Sequence, residues 1–128
     1  MSYLLFLDDV RHPDDVVWEK FPRDLVTFII RDYDTFVQQV TISGLPAFVC
    51  FDHDLSDEHY AAMLAESEGK DSVDYGDEKT GLDAAKWLVE YCHQNGRKFP
   101  RYVVHSMNPA GKQRIAGYIE NAKQHLGI

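Results

Sequence analysis

The sequence predicts a three-layer α/β domain built on a four-stranded parallel sheet of strand order 2-1-3-4. Three observations lead there. Short apolar runs alternate with stretches of helical periodicity, the pattern of a parallel sheet joined by right-handed crossovers. Two of those runs end abruptly in acids: Leu4-Leu5-Phe6-Leu7 runs into Asp8-Asp9, and Val49-Cys50-Phe51 runs into Asp52-His53-Asp54. A third run, Arg101-Tyr102-Val103-Val104, delivers His105-Ser106. In this order the chain reverses direction between strands 1 and 3, so their carboxyl ends flank the crevice where open α/β sheets place their sites.

Composition limits what the site can serve. The 128 residues make one ordinary domain, 1–128, with 45% hydrophobic and 12% aromatic residues to fill a core. Twenty-one acids against 13 Lys and Arg leave a net charge of -8, which argues against an extended basic groove for nucleic acid. A single nucleotide or a strand end held by a metal and a few cations remains compatible with it. Cys50 and Cys92 form no metal-spacing motif and read as free buried thiols of a reducing cytoplasm. The first residues carry no basic segment of a signal peptide, and no apolar run approaches the length of a membrane span. A cytoplasmic protein is expected.

The elements follow in order. Residues 3–7 are apolar throughout, as in a strand buried on both faces. A loop through Pro13 comes next, then a short helix over Val16-Val17-Trp18-Glu19-Lys20, capped by Asp14 or Asp15 and stopped by Pro22. Leu25 to Ile30, rich in β-branched residues, is the second strand. Asp34 caps a helix over 35–42 with Phe36, Val37 and Val40 as its stripe, ended by Gly44-Leu45-Pro46. Ala47 to Phe51 is the third strand. Residues 57–79 form an acidic insertion broken by Gly69 and Gly76, either a functional lid that can bind a protein partner or a solvated loop. Thr80 and Asp83 make a capping box, and Leu82, Ala85, Leu88, Val89 and Cys92 carry the following helix to Asn95-Gly96. After the fourth strand, Asn108 and Pro109 start the last helix as N-cap and first residue, with Ile115, Tyr118, Ile119, Ala122 and Leu126 as its apolar face.

The acids at the ends of strands 1 and 3 converge at one edge, and like charges at that density call for a cation or a shared proton. Asp8, Asp9 and Asp52 are therefore expected to bind Mg²⁺ or Mn²⁺ through hard oxygen ligands. Asp54 has three open roles: outer ligand, general acid or base, or helix cap. Ser106, Asn108 and the free N–H groups of the last helix make an anion site, with Lys112 adding positive charge, although the same two side chains can simply cap the helix. Arg11 can pair with a phosphate or close an ion pair to the acids beside it. Of His12, His53 and His105, the last is the acid/base candidate, because it ends a strand beside the anion site. His53 alternates away from Asp52 and Asp54 in an extended chain.

Four ordered motifs, Leu5-Phe6-Leu7-Asp8-Asp9-Val10-Arg11-His12-Pro13, Phe51-Asp52-His53-Asp54-Leu55, Thr80-Gly81-Leu82-Asp83 and Val104-His105-Ser106-Met107-Asn108-Pro109, together resemble the cyclic-phosphate processing receiver-like family. The resemblance spans essentially the whole chain. It implies a receiver fold and a metal-dependent phosphoesterase acting on a cyclic phosphate of a nucleotide or RNA end, in RNA-repair settings. In that role Asp52, Asp54 and His105 are the catalytic candidates, and Arg11, Ser106, Asn108 and Lys112 hold the phosphate. The alternative is a receiver-like phospho-acceptor or binding module without turnover. Two departures from an ordinary receiver weigh against signalling: no fifth strand carries the expected lysine, and a long acidic insertion precedes the helix between strands 3 and 4.

Overall fold

A computed structural model describes residues 2–52 and 80–128. Its four strands are β1 (Tyr3–Leu7), β2 (Val26–Ile30), β3 (Phe48–Phe51) and β4 (Arg101–Val104), all parallel, in the order β2-β1-β3-β4. The helices are α1 (Tyr33–Ser43), α2 (Gly81–Gln94) and α3 (Pro109–Leu126). The order and direction are those expected from the alternating pattern. The 57–79 insertion and Asp54 lie outside the described residues.

Crossover handedness decides which face each connection covers. From β1 to β2 the chain moves one way along the sheet; from β2 to β3 and β3 to β4 it moves the other way. Right-handed connections must then pack on opposite faces. One face carries Tyr3, Leu5, Leu7, Val49, Phe51 and Val104 against Phe36 and Val40 of α1, Ala85, Leu88 and Cys92 of α2, and Ile115 and Ile119 of α3. The other carries Leu4, Phe6, Phe48 and Cys50 against Val16, Phe21 and Leu25 of the β1–β2 connection. The three layers are thus helices, sheet and connection. With both faces covered, all five β1 residues are buried.

That connection is where sequence expectation and structure part. No helix forms over 16–20. A single 3-10 turn spans Pro13–Asp15, closed when the Val16 N–H donates to Pro13 O at 3.1 Å and the His12 N–H donates to Asp15 Oδ2 at 2.9 Å. Val16 then returns to extended backbone and is fully buried, while Val17 is exposed. Burying one side chain per pass across the sheet takes an extended chain, and that tertiary demand overrides a weak helical pattern.

Elsewhere the corrections are small. The cap of α1 is Asp32, which accepts from Thr35 N at 2.7 Å; Asp34 stands in the first turn. The α2 capping box forms as expected, with Thr80 N donating to Asp83 Oδ2 at 2.8 Å. On α3 only Ile115 and Ile119 of the expected apolar face are fully buried, and Tyr118 and Leu126 are exposed. Among the described residues no helix is long and apolar enough to cross a membrane.

Candidate active site

The ladder positions the site. Leu7 pairs with Phe51, and Phe51 with Val104. Hydrogen bonding then continues one residue further on each strand: Asp52 N donates to Leu7 O at 3.0 Å, His105 N to Phe51 O at 2.9 Å, and Asp8 N to Ile30 O at 3.0 Å. Asp8, Asp52 and His105 therefore occupy the same rung past the carboxyl ends of three adjacent strands. Leu7, Phe51 and Val104 face the helices, so the next residues turn to the face under the β1–β2 connection. All three are buried, and their ligand atoms lie within 4.8 Å of one another.

Asp8 is the best-held group. Its Oδ1 accepts from the backbone N–H of Val10 at 2.9 Å and of Arg11 at 2.8 Å, and its Oδ2 accepts from His105 Nε2 at 2.9 Å. Arg31, just past β2, donates from Nη1 to the carbonyls of Asp8 and Arg11 at 3.1 and 2.7 Å, so the turn is tied on both sides. Burial by itself pushes the Asp8 carboxyl up. The bonds from His105 and the two amides outweigh it and bring the pKa down from 3.8 to about 2. Asp8 is a carboxylate at any ordinary pH.

His105 is enclosed. Its ring stacks on Phe6 with centroids 4.7 Å apart and 9° between planes. A carboxylate can only accept, so in this pair the proton is on Nε2. Nδ1 is buried with no hydrogen-bond partner among the described residues, an uncommon condition for an imidazole nitrogen. Arg11 reaches over the pair of acids, its Nη1 3.5 Å from Asp8 Oδ2 and 4.0 Å from Asp52 Oδ2. Its guanidinium also lies over the Trp18 ring, 5.4 Å from the centroid. Trp18 in turn donates from Nε1 to the His105 carbonyl at 2.8 Å.

The remaining expected residues are distributed more widely. Asp9 is partly exposed, and the close cluster of ligand atoms is formed by Asp8, Asp52 and His105. Ser106 and Asn108 act as caps: Ser106 Oγ accepts from Asn108 N at 3.1 Å, and Asn108 Oδ1 from Gly111 N at 3.1 Å. Lys112 Nζ is paired with Glu19 of the β1–β2 connection. Sequence reasoning missed Trp18, Arg31 and Phe6 as supports of the site. The signal for the rung itself was present, since Asp8, Asp52 and His105 are each the first polar residue after an apolar strand.

The donor set fits a divalent cation. Two carboxylates offer hard oxygens, and the imidazole holds one of them in place. A family model described as the cyclic-phosphate processing receiver domain matches residues 3–121. No curated protein and no solved structure matches the chain.

Proposed function

The chain belongs to the cyclic-phosphate processing receiver family, and on that footing we propose that it is a metal-dependent phosphoesterase that opens a cyclic phosphate, with the 2′,3′-cyclic phosphate of a nucleotide or RNA end as substrate. The observation that carries this reading is the shared rung of Asp8, Asp52 and His105 under the guanidinium of Arg11. Asp8 and Asp52 would hold Mg²⁺ or Mn²⁺, which supplies Lewis acidity and counter-charge to the phosphate. Arg11, within reach of both acids, faces the same space and offers its other N–H groups to phosphate oxygens, where charge grows as the ring opens.

His105 has a different part from the one its sequence position suggests. It is wholly buried and its Nε2–H is committed to Asp8. It acts as a positioning residue, fixing the Asp8 carboxylate in one orientation as outer partners of metal ligands do. Water attacks phosphorus, and the bond to one ribose oxygen breaks. The proton lost by the water reaches the departing oxygen through the carboxylate that orients that water, the role we assign to Asp54. Ser106, one residue past the rung, and Asn108, the cap of α3, would offer further polar groups to the phosphate.

Turnover of 2′,3′-cyclic nucleotides with Mn²⁺ should be lost in Asp52→Asn and reduced in His105→Ala. Mg²⁺ or Mn²⁺ should raise the melting temperature of the wild type and not that of Asp52→Asn. No turnover across a panel of cyclic nucleotides and RNA ends would end the enzymatic reading. A second reading draws on Asp52 at the carboxyl end of β3 in a 2-1-3-4 sheet, the place of a phospho-acceptor. Capture of beryllofluoride with no hydrolysis of any phosphodiester would favour it.

A further inference from the structure

We propose that Trp18 is a nucleobase shelf, so that the site takes a base-bearing phosphate and discriminates against small cyclic phosphates lacking a base. The inference rests on the phosphate being held by Arg11 and by a metal on Asp8 and Asp52, and it adds what the rest of the ligand must be.

The side chain is placed for that task by three contacts. Its Nε1–H donates to the carbonyl of His105, the residue whose ring completes the acid rung. The Arg11 guanidinium lies over the ring at 5.4 Å from the centroid while reaching Asp8 and Asp52 at 3.5 and 4.0 Å. The next residue, Glu19, is paired with Lys112 of α3, which pins this stretch of the connection against the β4–α3 junction. With the polar edge of its indole already satisfied, Trp18 is still 40% exposed. A tryptophan held by its N–H with an open apolar surface is a stacking platform rather than a core residue. The residues next to this border in sequence, Val17 and Met107, are exposed and apolar too.

Geometry supports a base in particular. The Arg11 guanidinium stands between ring and carboxylates, 5.4 Å from the ring centroid and 3.5 and 4.0 Å from Asp8 and Asp52, so one nucleotide can set its base by the ring and its phosphate by the acids. Every base has a π-face, so stacking on tryptophan or on an arginine plane needs no edge-specific hydrogen bonds. Stacking by area alone ranks purines above pyrimidines. A net charge of -8 disfavours binding a long anionic backbone and leaves a base contact as the way to gain affinity beyond the phosphate.

The test uses the full chain with Mg²⁺. The protein has two tryptophans, so Trp87→Phe leaves Trp18 as the sole indole fluorophore. Adenosine 3′-monophosphate should quench its emission, and ribose 5-phosphate should not. By calorimetry, Trp18→Ala should weaken adenosine 3′-monophosphate about tenfold or more beyond whatever it costs ribose 5-phosphate, and be largely rescued by Trp18→Phe. Equal affinities for the two ligands in the wild type, or base binding indifferent to Trp18→Ala with no quenching in Trp87→Phe, would overturn the shelf and leave Trp18 as a loop latch. These readouts need no turnover. If cyclic nucleotides are not hydrolysed yet the quenching appears, the shelf stands and the phosphoesterase reading falls. Hydrolysis without quenching keeps the phosphoesterase and removes the shelf.

Discussion

Asp8 shows how one buried side chain can stabilise a fold through its charge. Its pKa in the folded chain is about 2, below the ordinary 3.8, because His105 and two backbone amides favour the charged form more than burial opposes it. A lowered folded value adds stability above the unfolded pKa, and that stability is lost as pH falls from 3.8 through about 2. The contribution is on the order of 2 kcal/mol. Urea midpoints followed down through that window should fall in the wild type, and Asp8→Asn should flatten the fall. A variant with an undiminished acid slope would show that Asp8 is not its source. At this scale the sequence is half legible. Alternation after an apolar run picks out Asp8 and Asp52 as residues that leave the helix-facing side of the sheet together, and the structure puts both on one rung with His105. Trp18 is out of reach, because nothing local says that its N–H will find a carbonyl 87 positions away.

Helices announce themselves where their caps are local. The α2 signal is complete in the sequence, since a capping box and a regular stripe involve only near neighbours, and the structure has both. Thr80→Ala should therefore cost about 1 kcal/mol in urea denaturation, with Thr80→Ser close to neutral. A loss near zero would mean that the cap is redundant with tertiary packing. The β1–β2 connection is the contrary case. Asp14, Asp15 and the run to Lys20 look like a small helix locally, but the sheet face needs Val16 and Phe21 delivered to it, and the chain does so with one turn and extended backbone. Which face each connection covers is available in principle. It follows from strand order and crossover hand alone, once the reversal between β1→β2 and β2→β3 is noticed.

At the scale of the molecule, the buried layers set an alkaline limit. Burial pushes the Cys50 thiol up from 9.0 to about 12, with the charge of Arg23 working weakly the other way; Cys92 rises to about 11 and Tyr3 to about 12. Tyr102 is raised as well, by burial and by its hydrogen bond to Glu120. Groups with raised folded values contribute stability that is complete below their unfolded pKa and is lost as pH rises. The melting temperature should hold up to pH 9 and fall progressively above it, toward 12, and Cys50→Ala should show a shallower fall. A flat profile across that range would contradict the buried, protonated thiols. Strand order is the most legible property of the whole, because acids at two strand ends make sense only if those strands are neighbours. Register is not legible, and register is what puts Asp8 level with Asp52.

The way Asp8 is held has a consequence for how such a site can change. Its anchors in the loop are the amides of Val10 and Arg11, and Arg31 closes the turn on main-chain carbonyls. Any residue but proline supplies an amide, so the carboxylate keeps its aim whatever side chain stands at position 10. Val10 is exposed and can be exchanged without loosening the acid. The border of the rung can therefore drift, through inheritance or at a designer's hand, while Asp8 stays put, and new surfaces can be sampled on a scaffold that need not be re-solved each time.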